Sequence, residues 1–281
     1  MSDPLWTSDA AAEATTGRVS APFEVTGVTA DSRALAPGDL FVALTDARDG
    51  HDFVAAAFDA GAGAALVSRR PDGVADDAPL LIVPDVQKAV EDLAVAARAR
   101  AQAKVIGVTG SVGKTGAKEM LRAGLTPSGE THAAEKSFNN HWGVPLTLAR
   151  MPARTRFAAI EIGMNHPGEI APLSRLARPD VAIITTIAPV HMAAFSSEEE
   201  IADAKAEIFE GLAPGGVAVL NRDNRHYGRL AEAAAARGAK ILSFGAADDA
   251  DARLDGARVT STATVVKATL HGRPLVFKLG A

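Results

Sequence analysis

Lys114, Thr115, Glu161 and Lys205 are the side chains from which chemistry can first be read. Lys114 and Thr115 close the stretch VIGVTGSVGKT, in which Gly110 and Gly113 stand on either side of Ser111 and Val112. Glycines let backbone N–H groups approach phosphate oxygens with no Cβ in the way. A helix beginning at the loop adds a positive dipole end. In such a loop Lys114 reaches the β- and γ-phosphates and the Thr115 hydroxyl holds a Mg²⁺. The strict phosphate-loop pattern has a further glycine where Val108 stands, so the motif here reads T-G-S-x-G-K-T.

Further polar residues fall at the ends of apolar runs. Glu161 ends FAAIEI, where a carboxylate beside a phosphate loop can hold Mg²⁺. Asn165 and His166 follow in the same loop, either as caps before the next helix or near a ligand. His191 follows VAIITTI, and is either structural or, with Glu161 on a neighbouring strand, part of a shared metal site. Lys205 lies on the apolar stripe Ile201–Ile208–Leu212 of a helix, i+4 from Ile201 and i−3 from Ile208. A lysine there must snorkel, pair or be modified, and Glu207 and Glu210 are wrongly spaced to pair with it. Asn221-Arg222-Asp223-Asn224 closes the strand VAVL and either caps a helix or holds a base and ribose. It is not the N-K-x-D element of a guanine switch. Asn139-Asn140 fit an N-cap or a substrate contact. Asp31-Ser32-Arg33 fit turn chemistry or an anion contact through Ser32 and Arg33.

The elements that must position these residues form two α/β groups. Residues 1–102 read as a small domain of short strands (VTGVTADSR, LFVAL, AALVS, LLIVP) with helices at His51–Ala60 and Val86–Ala101. Residues 103–281 alternate strand and helix. Strands are expected at 105–109, 157–163, 181–187, 216–220 and 240–244, with helices near 114–125, 141–149, 168–176, 197–213 and 224–237. Met120, Leu121 and Leu125 supply the apolar positions of the first of these helices. This pattern predicts a mostly parallel sheet flanked by helices, with ligands at the strands' C-terminal ends. Arg258–Leu270 and Pro274–Leu279 alternate around His271-Gly272, suggesting an antiparallel hairpin at the sheet edge.

Composition bounds the rest. Hydrophobic residues at 47% and charged residues at 22% describe a globular, soluble chain. A net charge of −5 offers no basic field for nucleic acid. No cysteine is present, so disulfides and thiolate metal sites are excluded. No apolar run approaches membrane-spanning length and Met1–Thr16 lacks the features of a secretory signal, so a cytoplasmic protein without membrane insertion is expected.

Taken together, the strings DSRALAPGDLFVAL, DGHDFVAAAFDAGAGAALV, GVTGSVGKT, SFNNHWGVPLTL, EIGMNHPGEI, APVH, AKAEIFEGL and VLNRDN resemble the Mur ligases of peptidoglycan synthesis. The resemblance is to the family that adds D-alanyl-D-alanine to UDP-MurNAc-tripeptide (MurF), with the diaminopimelate- or lysine-adding ligase as the nearest alternative. It implies an N-terminal UDP-MurNAc-peptide-binding domain, a central ATP-binding domain, and an amide ligase acting through an acyl phosphate. By the family's pattern Gly110, Ser111, Gly113, Lys114 and Thr115 hold ATP, with Asn221 and Asn224 as base contacts. Thr115 and Glu161 hold one Mg²⁺. His191 and a carbamoylated Lys205 serve a second. Ser32, Arg33, Asn139, Asn140 and His166 meet substrate, and Lys114, Lys205, His191 and Asn140 are the catalytic set. Gly116 stands where the family often has Ser or Thr, and Thr186 where Asn is common. The family's C-terminal ligase domain is missing from the pattern, so a two-domain module that binds ATP and UDP-MurNAc-peptide without ligation is the other expectation. The resemblance implies a monomer acting on small molecules.

Overall fold

The computed structural model describes residues 3–134, 137–190 and 194–280. The chain divides into two compact units: Met1–Ala103 with Ser128–Arg156, and Lys104–Pro127 with Phe157–Ala281. A single boundary near residue 102 therefore misses the return of Ser128–Arg156 to the first unit. The reason is hydrophobic. Helix Gly143–Ala149 is buried along its whole length, and its Leu146 and Ala149 share a core with Trp6, Val90, Leu93 and Ala97. The Trp6 indole N–H donates to Ala149 O at 2.9 Å, and the Arg100 guanidinium donates to Leu5 O and Met151 O while stacking over the Trp6 ring.

In the first unit, strands Gly27–Thr29, Asp39–Val42, Ala64–Val67 and Leu80–Ile82 are parallel neighbours in that order, and Arg18–Val19 adds antiparallel to the last. The run Asp39–Val42 is buried at every position, as expected of a strand covered on both faces. Leu40 and Val42 face the core with Val86–Arg100, whereas Phe41 and Ala43 face Val54 and Ala57 on the other side. The expected helix at His51–Ala60 is a 3₁₀ turn, Gly50–Phe53, followed by a short α-helix, Val54–Asp59. His51 explains the split. Its Nδ1 meets Asp49 Oδ1 at 2.6 Å and its Nε2 accepts the Ser68 N–H at 2.9 Å, which fixes the turn before the helix can begin.

The second unit is the expected parallel sheet. Strand Lys104–Thr109 lies between Phe157–Glu161 and Val181–Ile184, and Val217–Asn221 and Lys240–Gly245 continue the parallel run. The chain therefore reverses direction of winding at Lys104–Thr109, and the crevice beyond its C-terminal end is where ligands bind in such sheets. Three details differ from expectation. The edge hairpin is a three-stranded meander, Ala252–Val259, Ala263–Leu270 and Arg273–Gly280, because the chain also turns between Val259 and Ala263. The helix expected over 197–213 is α only over Glu198–Ala206 and 3₁₀ over Glu207–Gly211. Gly211 there lies so close to Ser174 that a Cβ would come within 2.0 Å of the Ser174 carbonyl oxygen. Helix Lys114–Leu125 forms where predicted, but Met120 is 60% exposed and the buried side chain is Lys118. No helix among the described residues is long and apolar enough to cross a membrane.

Candidate functional site

Strand Lys104–Thr109 delivers the chain into a loop whose two glycines both have positive φ, +148° at Gly110 and +87° at Gly113. A Cβ at Gly110 would also lie 1.9 Å from Thr185 Oγ1, so close approach and backbone conformation both select glycine. Gly113 caps helix Lys114–Leu125 with no side-chain hydrogen bond, leaving first-turn N–H groups for an anion. The Lys114 ammonium donates to Gly110 O at 2.9 Å. Burial lowers the pKa of Lys114, opposed by the nearby Glu161 charge.

Glu161, 2% exposed, ends the adjacent strand and accepts the Thr115 hydroxyl at 3.0 Å. Lys205 is 1% exposed, and among the described residues no carboxylate pairs with it. Burial, with the like charge of Lys114 added, pulls its pKa down from the usual lysine value to about 7. Lys114, Thr115, Glu161 and Lys205 are therefore one cluster at the strand ends. His191 lies outside the described residues. Among the described residues no three His, Asp or Glu side chains gather as a metal site. The oxygens that do converge are those of Thr115 and Glu161.

The other expected residues make these contacts within the protein. Ser111 donates its N–H to Thr186 O at 2.9 Å, and its hydroxyl exchanges hydrogen bonds with the Ala188 backbone. Asn221 donates to Thr185 O, and Asn224 donates to Thr186 Oγ1 and Ile187 O. These three residues brace segment 185–188 beside the phosphate loop. His166 is exposed and meets Glu169 Oε1 at 3.0 Å, while Glu169 Oε2 accepts the Asn165 N–H. Sequence reasoning missed Glu207. Its carboxylate accepts N–H groups of Gly168, Ile170 and Ala171 at 2.7–3.1 Å and so caps helix Ile170–Ala177 from outside. It ties the loop after Glu161 to the turn that carries Lys205. A glutamate at the C-terminal end of its own helix is on the unfavourable side of that dipole, which is the one local signal that could have marked it.

The remaining expected residues belong to the first unit. Asp31 caps the turn Ser32–Ala34, and Arg33, fully out in solvent, is doubly hydrogen-bonded to the Asp31 carboxylate. Ser32 and Arg33 line a cleft of about 970 Å³ together with Arg48, Phe138, Trp142 and Arg150. Phe138 and Trp142 pack tilted with ring centroids 5.5 Å apart, and the Arg150 guanidinium stands over the Phe138 ring. None of Arg48, Phe138, Trp142 and Arg150 was singled out from sequence. Asn140 accepts the Gly143 N–H at 2.8 Å, as an N-cap would, with Asn139 beside it.

A glycine loop at the switch point of a parallel sheet, closed by Lys-Thr and faced by a buried carboxylate, defines a phosphate-loop α/β protein. The chain belongs to the Mur ligase family. The Mur ligase middle domain matches residues 108–279, and the domain described as "Mur ligase family, catalytic domain" matches residues 24–111. The UDP-N-acetylmuramoyl-tripeptide–D-alanyl-D-alanine ligase of Escherichia coli K12 is 40% identical over 253 residues, covering 90% of this chain and 53% of the relative. The ligase of the same name from Bacillus subtilis is 43% identical over 198 residues, 70% of this chain and 43% of that one. Among solved structures, MurF from Acinetobacter baumannii superposes with a TM-score of 0.85 at 31% identity, covering 99% of this chain and 60% of that chain. MurF from Thermotoga maritima in complex with ADP gives 0.72 at 26% identity, with 90% of this chain and 58% of that chain covered. The chain spans about half the length of the curated relatives it matches.

Proposed function

We propose that this chain carries the ATP-binding and UDP-MurNAc-peptide-binding parts of an ATP-dependent ligase that joins D-alanyl-D-alanine to UDP-MurNAc-tripeptide, a cytoplasmic step of peptidoglycan precursor synthesis. The observation that carries the reading is the Thr115–Glu161 pair beside Lys114 and the buried Lys205. Two convergent oxygens next to a phosphate loop suit a hard cation such as Mg²⁺. When bound, that ion would neutralise charge on the transferring phosphoryl group. Lys114 and the N–H groups at the helix start would hold the β- and γ-phosphates.

The reaction moves the γ-phosphoryl group of ATP to the terminal carboxylate of the UDP-peptide, giving an acyl phosphate and ADP. The amine of the dipeptide then attacks the acyl carbon, loses a proton, and phosphate leaves as the amide forms. The cluster's part is positioning and charge neutralisation, which is what phosphoryl transfer requires. Lys205 fits carbamoylation. With a pKa of about 7 its amine is substantially uncharged at neutral pH and free to attack CO₂. The resulting carbamate would place a negative group where Lys205 and Lys114 now repel, and with His191 it would offer a second Mg²⁺ site. In the first unit, the cleft with Ser32, Arg33, Phe138 and Trp142 offers hydrogen-bonding and stacking groups suited to a uridine nucleotide. Asn140, Asn139, His166, Asn221 and Asn224 remain candidates for contacts with substrate and base.

The test is binding and turnover with the 281-residue chain. Calorimetry should show Mg·ATP binding that Lys114→Ala abolishes and Glu161→Gln weakens, and a separate UDP-binding event that neither variant affects. Phosphate release from ATP with UDP-MurNAc-tripeptide should then depend on D-alanyl-D-alanine if these residues suffice for ligation. Failure of the wild-type chain to bind Mg·ATP would overturn the reading.

A further inference from the structure

Besides the Lys114–Gly110 hydrogen bond, the phosphate loop is held from outside. Of its N–H groups, that of Ser111 is committed to Thr186 O and so is turned away from any ligand. The Gly113 N–H makes no hydrogen bond among the described residues. What orients it is found on the other side of the same peptide. The Thr185 hydroxyl donates to Val112 O at 2.6 Å, and the Thr185 backbone N–H donates to Thr109 O at 3.0 Å, so one residue grips both arms of the loop. A peptide unit is planar and trans, so its C=O and N–H point in opposite directions. Holding the Val112 carbonyl against Thr185 therefore turns the Gly113 N–H outward. Thr185 in turn is held through its carbonyl by Asn221. Its Oγ1 also occupies the space that a Cβ at Gly110 would need.

We infer that Thr185 is a positioning residue for phosphate binding, whose hydroxyl fixes the Val112–Gly113 peptide so that the Gly113 N–H faces the nucleotide's phosphates. The inference rests on the phosphate-loop reading above and assigns to Thr185 no contact with the ligand. It also separates the two ends of the nucleotide, since a peptide that serves the β- and γ-phosphates would leave the binding of AMP, which has neither, unchanged.

The experiment compares Thr185→Ser with Thr185→Ala in the 281-residue chain, two variants that differ only by the hydroxyl. Affinity for Mg·ATP and for AMP is measured by calorimetry, alongside the thermal unfolding midpoint. Thr185→Ala is expected to weaken Mg·ATP about tenfold, the scale of one lost hydrogen bond. AMP affinity should hold, and Thr185→Ser should restore Mg·ATP binding to within about twofold of wild type. Equal Mg·ATP affinity for the Ser and Ala variants would overturn the inference. So would a loss in Thr185→Ala that affects AMP and Mg·ATP alike and follows a fall in the unfolding midpoint, since that marks general loosening. Should Thr185→Ala fail to fold, Thr185→Val replaces it, keeping the side-chain volume without the donor, and the same outcomes apply. Failure of the wild type to bind Mg·ATP, or binding by Lys114→Ala as tight as wild type, would instead remove the phosphate-loop reading and the inference with it.

Discussion

Two helices of the second unit each bury a lysine completely, and the two lysines are in opposite situations. Lys118, in helix Lys114–Leu125, is fully buried and meets Glu119 Oε1 at 2.9 Å. Lys205, in helix Glu198–Ala206, is equally buried but has no carboxylate partner among the described residues and feels the like charge of Lys114. Burial alone therefore does not decide what a lysine is for. A charge compensated on the spot holds structure together, and removing Lys118 leaves Glu119 with Arg122 as its remaining ion pair. A charge left without compensation is shed easily, which makes the amine available for chemistry.

The sharpest way to break this comparison is Lys205→Met. The folded state binds the Lys205 proton less tightly than the unfolded chain does, so between pH 7 and the ordinary lysine value the unfolded chain holds more protons. The wild-type contribution is thus fully destabilising below about pH 7 and fades as pH rises toward about 10. In CO₂-free buffer Lys205→Met should raise unfolding free energy by on the order of 3 kcal/mol at pH 7, and by progressively less at higher pH. Denaturant unfolding across that range would show it, and a stability loss at pH 7 would sink the idea.

Glu207→Ala should come next. Three backbone N–H groups lose a charged acceptor, for a cost of about 2 kcal/mol. Because the clasp holds the turn carrying Lys205, the pH midpoint for acylation of Lys205, followed by mass spectrometry, should also move up toward the ordinary lysine value. An unchanged midpoint would detach Glu207 from Lys205. Lys118→Met is expected to destabilise by about 1–2 kcal/mol, opposite in sign to Lys205→Met. Were both lysine substitutions stabilising, the comparison would fail. The smallest effect belongs to the exposed face of the Lys118 helix. A Cβ at Gly116 or Gly124 meets nothing within 4 Å, so Gly124→Ala should stabilise by about 0.5–1 kcal/mol. A loss of stability there would mean that the helix end is not formed in solution.

The contrast also shows what the sequence could and could not reveal. Lys205 was visible because Ile201 and Ile208 mark an apolar stripe with a lysine in it. Lys118 carries the same signal, i−3 from Leu121 and i−7 from Leu125, but was not singled out. The helix presents Met120, expected among its apolar positions, to solvent. The strands of the second unit and the phosphate loop were legible for the same reason as Lys205: apolar runs and glycine spacing are local. Thr185 and Glu207 were not, because each acts through backbone groups far away in sequence, 73 residues for Thr185 with Val112 and up to 39 for Glu207 with Gly168. A backbone acceptor or donor has no residue type to betray it. The same applies to Phe138, Trp142 and Arg150, whose cleft exists only once Ser128–Arg156 has returned to the first unit.

That return has a consequence for how the protein is made. The core of the first unit needs Leu146 and Ala149, with Trp142 packed against it. On the ribosome these residues emerge only after the phosphate loop and the helix behind it. Chains growing from the N-terminus ordinarily close one domain before starting the next. Here the first core stays open while part of the second unit has already been synthesised, and strand Lys104–Thr109 waits for both of its sheet neighbours, Phe157–Glu161 and Val181–Ile184. While residues 103–156 are being made, apolar surface of both units is therefore exposed at once.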